Sequence, residues 1–205
     1  MSRHRPPSLL PLLPPHGRQQ RIGIFGGSFN PAHAAHRLVS LTALRRLKLD
    51  AIWWIVTPGN PLKDKSDLPS AEERIALAKT IAAHPKIHVI AIEEQLGSTY
   101  THELISYLKR RSSTARFVWI MGADNLESFH RWARWRSIFA SIPVAVIDRP
   151  GSTHRALHAP AALAYDRYRI SESKASVFPN KSAPALIVLH GPRSSLSSTA
   201  LRKRH

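Results

Sequence analysis

The sequence has no cysteine among its 205 residues, which excludes disulfide bridges and thiolate metal sites. It also lacks an apolar run long enough to span a bilayer. The leucine-rich stretch near the start is interrupted by Pro11, Pro14 and Pro15, and no small-residue cleavage site follows it. We therefore expect residues 1–20 to form a disordered basic tail, and the protein to be cytoplasmic, with no membrane partner.

Acidic residues are scarce: the sequence has 13 Asp and Glu residues and 30 Lys and Arg residues, which gives a net charge of +17. Such an excess predicts affinity for polyanions, either nucleic acid or nucleotides and pyrophosphate. The basic residues are scattered or lie at the termini, and they do not form one stripe interleaved with exposed aromatics. This distribution favours nucleotide ligands and no nucleic-acid partner, and a nucleic-acid-binding module is the alternative.

Short apolar runs alternate with helical patterns from Arg21 onward, as is typical of a parallel sheet with helices on both faces. The predicted strands are Ile22–Phe25, Ile52–Val56, Ile87–Ile92, Phe117–Met121, Val144–Ile147 and Leu186–Leu189. The predicted helices are His36–Leu47, Ser70–Ala83, Thr101–Arg110 and Leu126–Phe139. The expected fold is therefore α/β, a doubly wound parallel sheet in one domain over residues 21–205, with its ligand at the carboxyl ends of the strands.

Two further segments have local signatures. The second predicted helix opens with a capping box formed by Ser70 and Glu73. In contrast, Gly151–Pro184 is rich in proline, serine and small residues without a clear period, and we expect it to be loop-rich.

The first predicted strand runs directly into the string Gly26-Gly27-Ser28-Phe29-Asn30-Pro31-Ala32-His33-Ala34-Ala35-His36. The glycines allow backbone amides to approach an anion closely. His33 and His36 are three residues apart, so at a helix start they project from one face toward the N-terminus, where phosphate is favoured. Their imidazoles can donate to a phosphate whose charge grows in a transition state. A metal site is the weaker alternative, because the glutamate of HExxH and a third ligand are missing.

A second string lies near the end of the chain and reads Leu196-Ser197-Ser198-Thr199-Ala200-Leu201-Arg202. Its hydroxyls can cap a helix and contact phosphate oxygens, and its arginine follows one turn later. Taken alone, the string is more typical of an ordinary capped helix with a basic end.

Together, the two strings resemble the HxGH nucleotidyltransferase superfamily, which has a Rossmann-like fold, and Arg21–Arg202 is similar to its nicotinate-nucleotide adenylyltransferase branch. The resemblance implies transfer of AMP from ATP to nicotinate mononucleotide in NAD biosynthesis, forming deamido-NAD and pyrophosphate, with Mg²⁺ accompanying ATP. It implies catalytic roles for His33, His36 and Arg202. The implied ATP-binding residues are Gly26, Gly27, Ser28, Phe29, His33, His36, Ser197, Ser198, Thr199 and Arg202.

Inner segments carry the resemblance to the pyridine-specific branch. Lys63 ends a proline-rich loop, Tyr100 lies in a Tyr-Thr element, and Asp124 and Trp132 lie in a Gly-x-Asp-x-Leu…Trp segment. The implied nicotinate mononucleotide contacts are Asn30, Lys63, Thr99, Tyr100, Thr101, Asp124 and Trp132. Arg149 matches a further family position without a definite role. Without the resemblance, helical spacing would place Trp132 in the core.

One position departs from the family string, since Ala35 stands where HxGH has glycine, and we expect the small side chain to be tolerated. An acceptor other than nicotinate mononucleotide, either phosphopantetheine or the amidated nucleotide, is the alternative within the superfamily. The sequence leaves acid-versus-amide selectivity and a homo-oligomeric state open.

Overall fold

The computed structural model describes residues 13–57, 68–92, 100–148 and 153–191. These residues form a seven-stranded sheet in which every neighbouring pair of strands is parallel. The strands are β1 (Arg21–Gly27), β2 (Ala51–Val56), β3 (Ile87–Ile90), β4 (Arg116–Gly122), β5 (Val144–Ile147), β6 (Arg169–Ile170) and β7 (Leu186–Leu189). Their order across the sheet is β3-β2-β1-β4-β5-β7-β6. The strand order reverses between β1 and β4, which confirms the predicted doubly wound sheet and marks its switch point.

Helices flank this sheet on both faces. The α-helices are α1 (Ala34–Arg46), α2 (Ala71–Ala82), α3 (Thr101–Arg111), α4 (Ala123–Ser128), α5 (Trp135–Ser141), α6 (Thr153–Leu157) and α7 (Pro160–Ala164). Among the described residues, no helix is both long and apolar enough to cross a bilayer. The capping box predicted for α2 is confirmed, because Glu73 N donates to Ser70 Oγ at 3.1 Å and Ser70 N donates to Glu73 Oε2 at 2.9 Å.

Two apolar clusters form the core, one on each face of the sheet. Because side chains alternate along a strand, Trp53 packs in the cluster beneath α3 and α5, whereas Trp54 packs in the cluster beneath α1 and α2. β2 is buried along its whole length, as expected of a central strand covered on both faces. This burial fixes the register of β1 and β2 and thereby the position of the loop that follows β1.

The prediction of one helix over Leu126–Phe139 is wrong. The segment contains the end of α4, a 3-10 turn at Phe129–Arg131, and the start of α5 at Trp135. Arg134 adopts a left-handed conformation with φ of 51°, which interrupts helical hydrogen bonding before Trp135. The apolar periodicity of this segment was therefore real, but it is divided between two short helices, α4 and α5.

The stretch Gly151–Pro184 has more structure than predicted. Its described part contains α6, α7, two 3-10 segments and the two-residue strand β6, which pairs with β7. The two α-helices and β6 are short, and the 3-10 segment Glu172–Asn180 is interrupted at Lys174, so none of these elements shows a periodic apolar pattern in sequence. The prediction of a loop-rich excursion therefore missed an edge strand.

Part of the segment predicted to be a disordered tail packs on the domain. The His16 ring lies edge-on to Trp53, with ring centroids 5.2 Å apart, and Leu13 packs against the core. The Gln19 side chain also accepts a hydrogen bond from Arg116 Nε at 2.8 Å. The ordered domain thus begins before Arg21.

Candidate active site

The two glycines of the first motif belong to strand β1, which extends two residues beyond the predicted end at Phe25. Gly26 pairs with Ile55 of β2. A Cβ on Gly26 would lie 2.7 Å from Cη2 of Trp119, so this position requires glycine for packing as well as for any approach to an anion. The motif therefore leaves the sheet beside β4, at the switch point, where doubly wound folds bind their ligands.

The two motif histidines lie together at the start of α1. His33 is the N-cap residue and is 5% exposed, and its ring centroid is 3.9 Å from that of His36. The His33 backbone N–H donates to His36 Nδ1 at 3.2 Å. Because Nδ1 accepts this bond, a neutral His36 ring carries its proton on Nε2, which is then a donor. The pair thus supplies imidazole donor chemistry at a helix N-terminus.

The first turn of α1 is supported from beneath by buried side chains. Ser40 Oγ donates to the His36 carbonyl at 3.0 Å and accepts a hydrogen bond from Trp54 Nε1 at 2.7 Å. Phe29 stacks on Trp54 with ring centroids 4.8 Å apart and an interplanar angle of 9°. Phe29 is 1% exposed, so its side chain supports the loop, and its backbone is the part that can face a ligand.

Ala35, at the position of the family glycine, lies in the first turn of α1 and is 3% exposed. Its backbone is helical, a conformation that alanine favours over glycine. The methyl group is accommodated in the packed first turn between the two histidines.

Arg74 of α2 is a residue that the sequence analysis did not single out. It is 5% exposed, and its guanidinium donates to the carbonyls of Ser28, Thr57 and Pro69. No sequence pattern distinguishes it from the other basic residues of the chain, because its partners are backbone carbonyls, two of which lie 46 and 17 residues away in the chain. Ser40 and Trp54 were missed for a similar reason.

Most of the described residues predicted to contact the acceptor follow β3 and β4 in the chain. Tyr100 caps α3 and is 47% exposed, and Thr101 is the first residue of that helix. Asp124 is exposed in the first turn of α4, directly after β4. Trp132 is half-buried, with its ring centroid 4.8 Å from that of Phe129, so the structure places it between core and solvent. Asn30 is half-buried in the loop after β1.

Several predicted site residues lie outside the described residues. They are Lys63, Thr99, Arg149, Ser197, Ser198, Thr199 and Arg202. Among the residues that are described, no group of three histidine, aspartate or glutamate side chains is arranged to hold a metal ion.

The chain leaves β7 beside α1. Arg46 Nη1 donates to the His190 carbonyl at 2.9 Å, and a Cβ on Gly191 would lie 3.1 Å from Cγ2 of Thr42. Glu172 joins this contact by accepting hydrogen bonds from Arg46 and His190. Burial alone would raise the pKa of Glu172, but these hydrogen bonds outweigh it and hold the pKa below its ordinary value. His190 and Gly191 therefore lie against the helix that carries the histidine pair.

Comparisons with known proteins agree with this architecture. The cytidylyltransferase-like family matches residues 24–204. A protein of a Bradyrhizobium strain is 56% identical over 89% of this chain and 95% of its own, and one of Agrobacterium fabrum is 54% identical over 90% and 98%. Both carry the name "Probable nicotinate-nucleotide adenylyltransferase".

A solved structure shares the fold at low sequence identity. It is the Plasmodium falciparum nicotinic acid mononucleotide adenylyltransferase complexed with NaAD, which matches with a TM-score of 0.67 and 20% identity over 90% of this chain and 83% of that chain. The family match over most of the chain, together with relatives more than 50% identical, settles the classification. The chain belongs to the cytidylyltransferase-like family and, within it, to the nicotinate-nucleotide adenylyltransferases.

Proposed function

We propose that this chain transfers AMP from ATP to the 5′-phosphate of nicotinate mononucleotide, forming deamido-NAD and pyrophosphate. The observation that carries the proposal is the His33 and His36 pair at the N-terminus of α1, beside the switch point of the sheet. A helix N-terminus favours anions, and two imidazoles add donors directed at the same place. A triphosphate bound there would meet donors that are already in position.

The proposed reaction is an in-line displacement at the α-phosphorus of ATP. A phosphate oxygen of the mononucleotide forms the new bond to phosphorus, and the bond to the bridging oxygen breaks as pyrophosphate leaves with the electron pair. A phosphate monoester is already an anionic nucleophile, so no general base and no covalent intermediate are needed. Positioning and neutralisation of charge supply most of the acceleration in such reactions. His36, as an Nε2 donor, would act on the charge that develops at the α-phosphate.

The remaining roles are assigned by position in the family motifs. Ser197, Ser198, Thr199 and Arg202 would hold the β- and γ-phosphates. Mg²⁺ would enter with ATP and would neutralise charge on the phosphates that these residues hold. Lys63 would contact the acceptor phosphate, and Trp132 would stack on the pyridine ring. The other proposed acceptor contacts are Asn30, Thr99, Tyr100, Thr101 and Asp124.

A pyrophosphate-release assay tests the proposal. The enzyme is supplied with ATP and Mg²⁺ and with nicotinate mononucleotide, its amide or phosphopantetheine in parallel reactions. We expect the largest kcat/KM with nicotinate mononucleotide. Preference for phosphopantetheine would contradict the proposal, and so would steeply salt-dependent nucleic-acid binding without any pyrophosphate release.

We propose the cytoplasm as the place where the reaction occurs. Cell fractionation tests this directly, with pyrophosphate release measured in each fraction. Recovery of the chain mainly in salt-washed membranes would contradict it.

A further inference from the structure

Arg74 makes an unusual set of contacts for a charged side chain so deeply buried. Its Nε donates to Pro69 O at 3.1 Å, and its Nη1 donates to Ser28 O at 2.8 Å and to Thr57 O at 2.6 Å. The planar guanidinium holds its donors in a fixed fork, so three acceptors from separate stretches of backbone are set in one geometry. Hydrogen bonds from a charged donor are stronger than those between neutral groups.

The three carbonyls belong to two loops at the carboxyl edge of the sheet. Ser28 lies in the loop between β1 and the histidine pair of α1. Thr57 directly follows β2, and Pro69 lies two residues before α2. In the sequence, Thr57 and Pro69 thus lie on either side of the stretch that contains Lys63. Arg74 connects both of these residues to Ser28 of the first motif.

The bond to Ser28 also fixes the direction of a backbone amide. Among the described residues, the cis peptide bonds are those preceding Pro31 and Pro184, so the peptide between Ser28 and Phe29 is trans. In a trans peptide the C=O and N–H groups point in opposite directions. Since Ser28 O points toward Arg74, the Phe29 N–H points away from it. Phe29 holds φ of 46°, a conformation that its neighbours must maintain.

We propose that Arg74 is a positioning residue for the transfer reaction. It orients the peptide between Ser28 and Phe29 so that its N–H faces the triphosphate, and it holds that peptide at a fixed distance from the flanks of the Lys63 stretch. Arg74 touches no substrate in this role. The inference rests on the proposed function, because it assumes ATP at the first motif and the mononucleotide phosphate near Lys63.

Substitution by lysine separates positioning from simple packing. Arg74→Lys keeps the charge and most of the volume, but a single ammonium cannot reproduce the three-acceptor fork. Arg21→Lys is the matched control, because the Arg21 guanidinium also donates hydrogen bonds, in this case to Asp50. Arg21 is the first residue of β1 and therefore lies at the opposite edge of the sheet. Both variants lose a guanidinium, but only one loses it beside the two loops.

Three measurements on the folded proteins are made for wild type and both variants. For Arg74→Lys we expect about tenfold weaker binding of a non-hydrolysable ATP analogue, corresponding to the loss of one charged hydrogen bond. We expect KM to rise for both ATP and nicotinate mononucleotide. Hydrogen exchange should accelerate at the backbone amides of Ser28, Phe29, Asn30, Ala32, Leu68 and Ser70. Arg21→Lys should leave all three measurements within about twofold of wild type, on the same scale of hydrogen-bond energies.

The outcomes distinguish the failure of each idea. Wild-type protein without turnover of nicotinate mononucleotide would refute the proposed function, while analogue binding and hydrogen exchange would still test Arg74. An Arg74→Lys variant that melts at lower temperature but binds the analogue like wild type would show a packing role only and would overturn the inference. A rise in KM for one substrate alone would overturn the link between the two loops.

Discussion

The side of the candidate site that we propose binds ATP and the side that we propose binds the acceptor are built differently. On the ATP side, His33 and Phe29 are buried, and the loop after β1 rests on a network that ends in the core. On the acceptor side, Tyr100 is 47% exposed and Asp124 is exposed on a helix of only six residues. The first side therefore rests on buried side chains, whereas the second presents accessible side chains on short elements.

This difference matches what each substrate requires. Stabilising charge that develops at a phosphate needs donors already in place, because reorientation during the reaction would cost free energy. An acceptor ring can instead be bound by exposed aromatic surface and enclosed as it arrives. We therefore expect substitutions on the ATP side to lower kcat, and substitutions on the acceptor side to raise KM for the mononucleotide.

Removing the donor on the ATP side should give the largest effect. His36→Ala should lower kcat by about 100-fold or more, because one prearranged donor to a developing charge is lost, with a smaller effect on KM for ATP. Steady-state pyrophosphate release measures both constants. His84→Ala, at the opposite edge of the sheet, is the matched control and should retain wild-type kcat. Near-normal turnover by the His36 variant would contradict a catalytic role for this side chain.

The support beneath the ATP side can be tested through Ser40. Ser40→Ala should lower the free energy of unfolding by about 2 kcal/mol, because Trp54 Nε1 is buried and loses its acceptor. Urea unfolding followed by tryptophan fluorescence measures the change. The double variant Ser40→Ala, Trp54→Phe should lose less unfolding free energy than the two single variants lose together, because both partners of the hydrogen bond are then absent. Full additivity would contradict a structural role for this bond.

The acceptor side is tested at Trp132. Trp132→Ala should raise KM for nicotinate mononucleotide about tenfold, on the scale of one ring-stacking contact, and leave KM for ATP nearly unchanged. Trp132→Phe is the control that retains a stacking surface and the packing on Phe129. Equal increases in both KM values would mean that the two sides are not separable.

The smallest effect is expected far from both sides, at the ion pair of Asp50. The Arg21 side chain donates to Asp50 and holds the pKa of that carboxyl below its ordinary value. The ion pair therefore stabilises the folded protein at pH values above the pKa of about 4 that the carboxyl has in the unfolded chain. This stabilisation is lost as the pH falls through the lower pKa of Asp50 in the folded protein. Because both side chains are 34% exposed, Asp50→Asn should cost only about 0.5 kcal/mol at pH 7.

Unfolding free energies of wild type and Asp50→Asn, measured at pH values from 7 down to 3, check this assignment. The difference between the two proteins should shrink below about pH 4. Their kcat values at pH 7 should be equal, since the pair lies at the amino edge of the sheet. A difference that grows on acidification would have the wrong sign for a carboxyl with a lowered pKa.

Local patterns predicted much of the fold because they depend on few neighbours. The apolar run of β2 and the capping box of α2 are each set by residues adjacent in sequence, and both are confirmed. The helix predicted over Leu126–Phe139 is wrong because apolar spacing does not report the left-handed residue Arg134. For the site, the motif histidines were found from sequence, but their supports were not.

The alternation of strands and helices, the family and the two histidines follow from the amino-acid sequence, because these features depend on residue types at short spacing. The folded chain adds three contacts that no sequence pattern predicts: Trp119 lies against Gly26, Ser40 connects His36 to Trp54, and Arg74 joins two loops. Each of these contacts unites residues that are distant in the chain, or a side chain with backbone carbonyls. Such partners become neighbours only when the parallel sheet brings its carboxyl ends to one edge, and a carbonyl oxygen has no signature in the sequence.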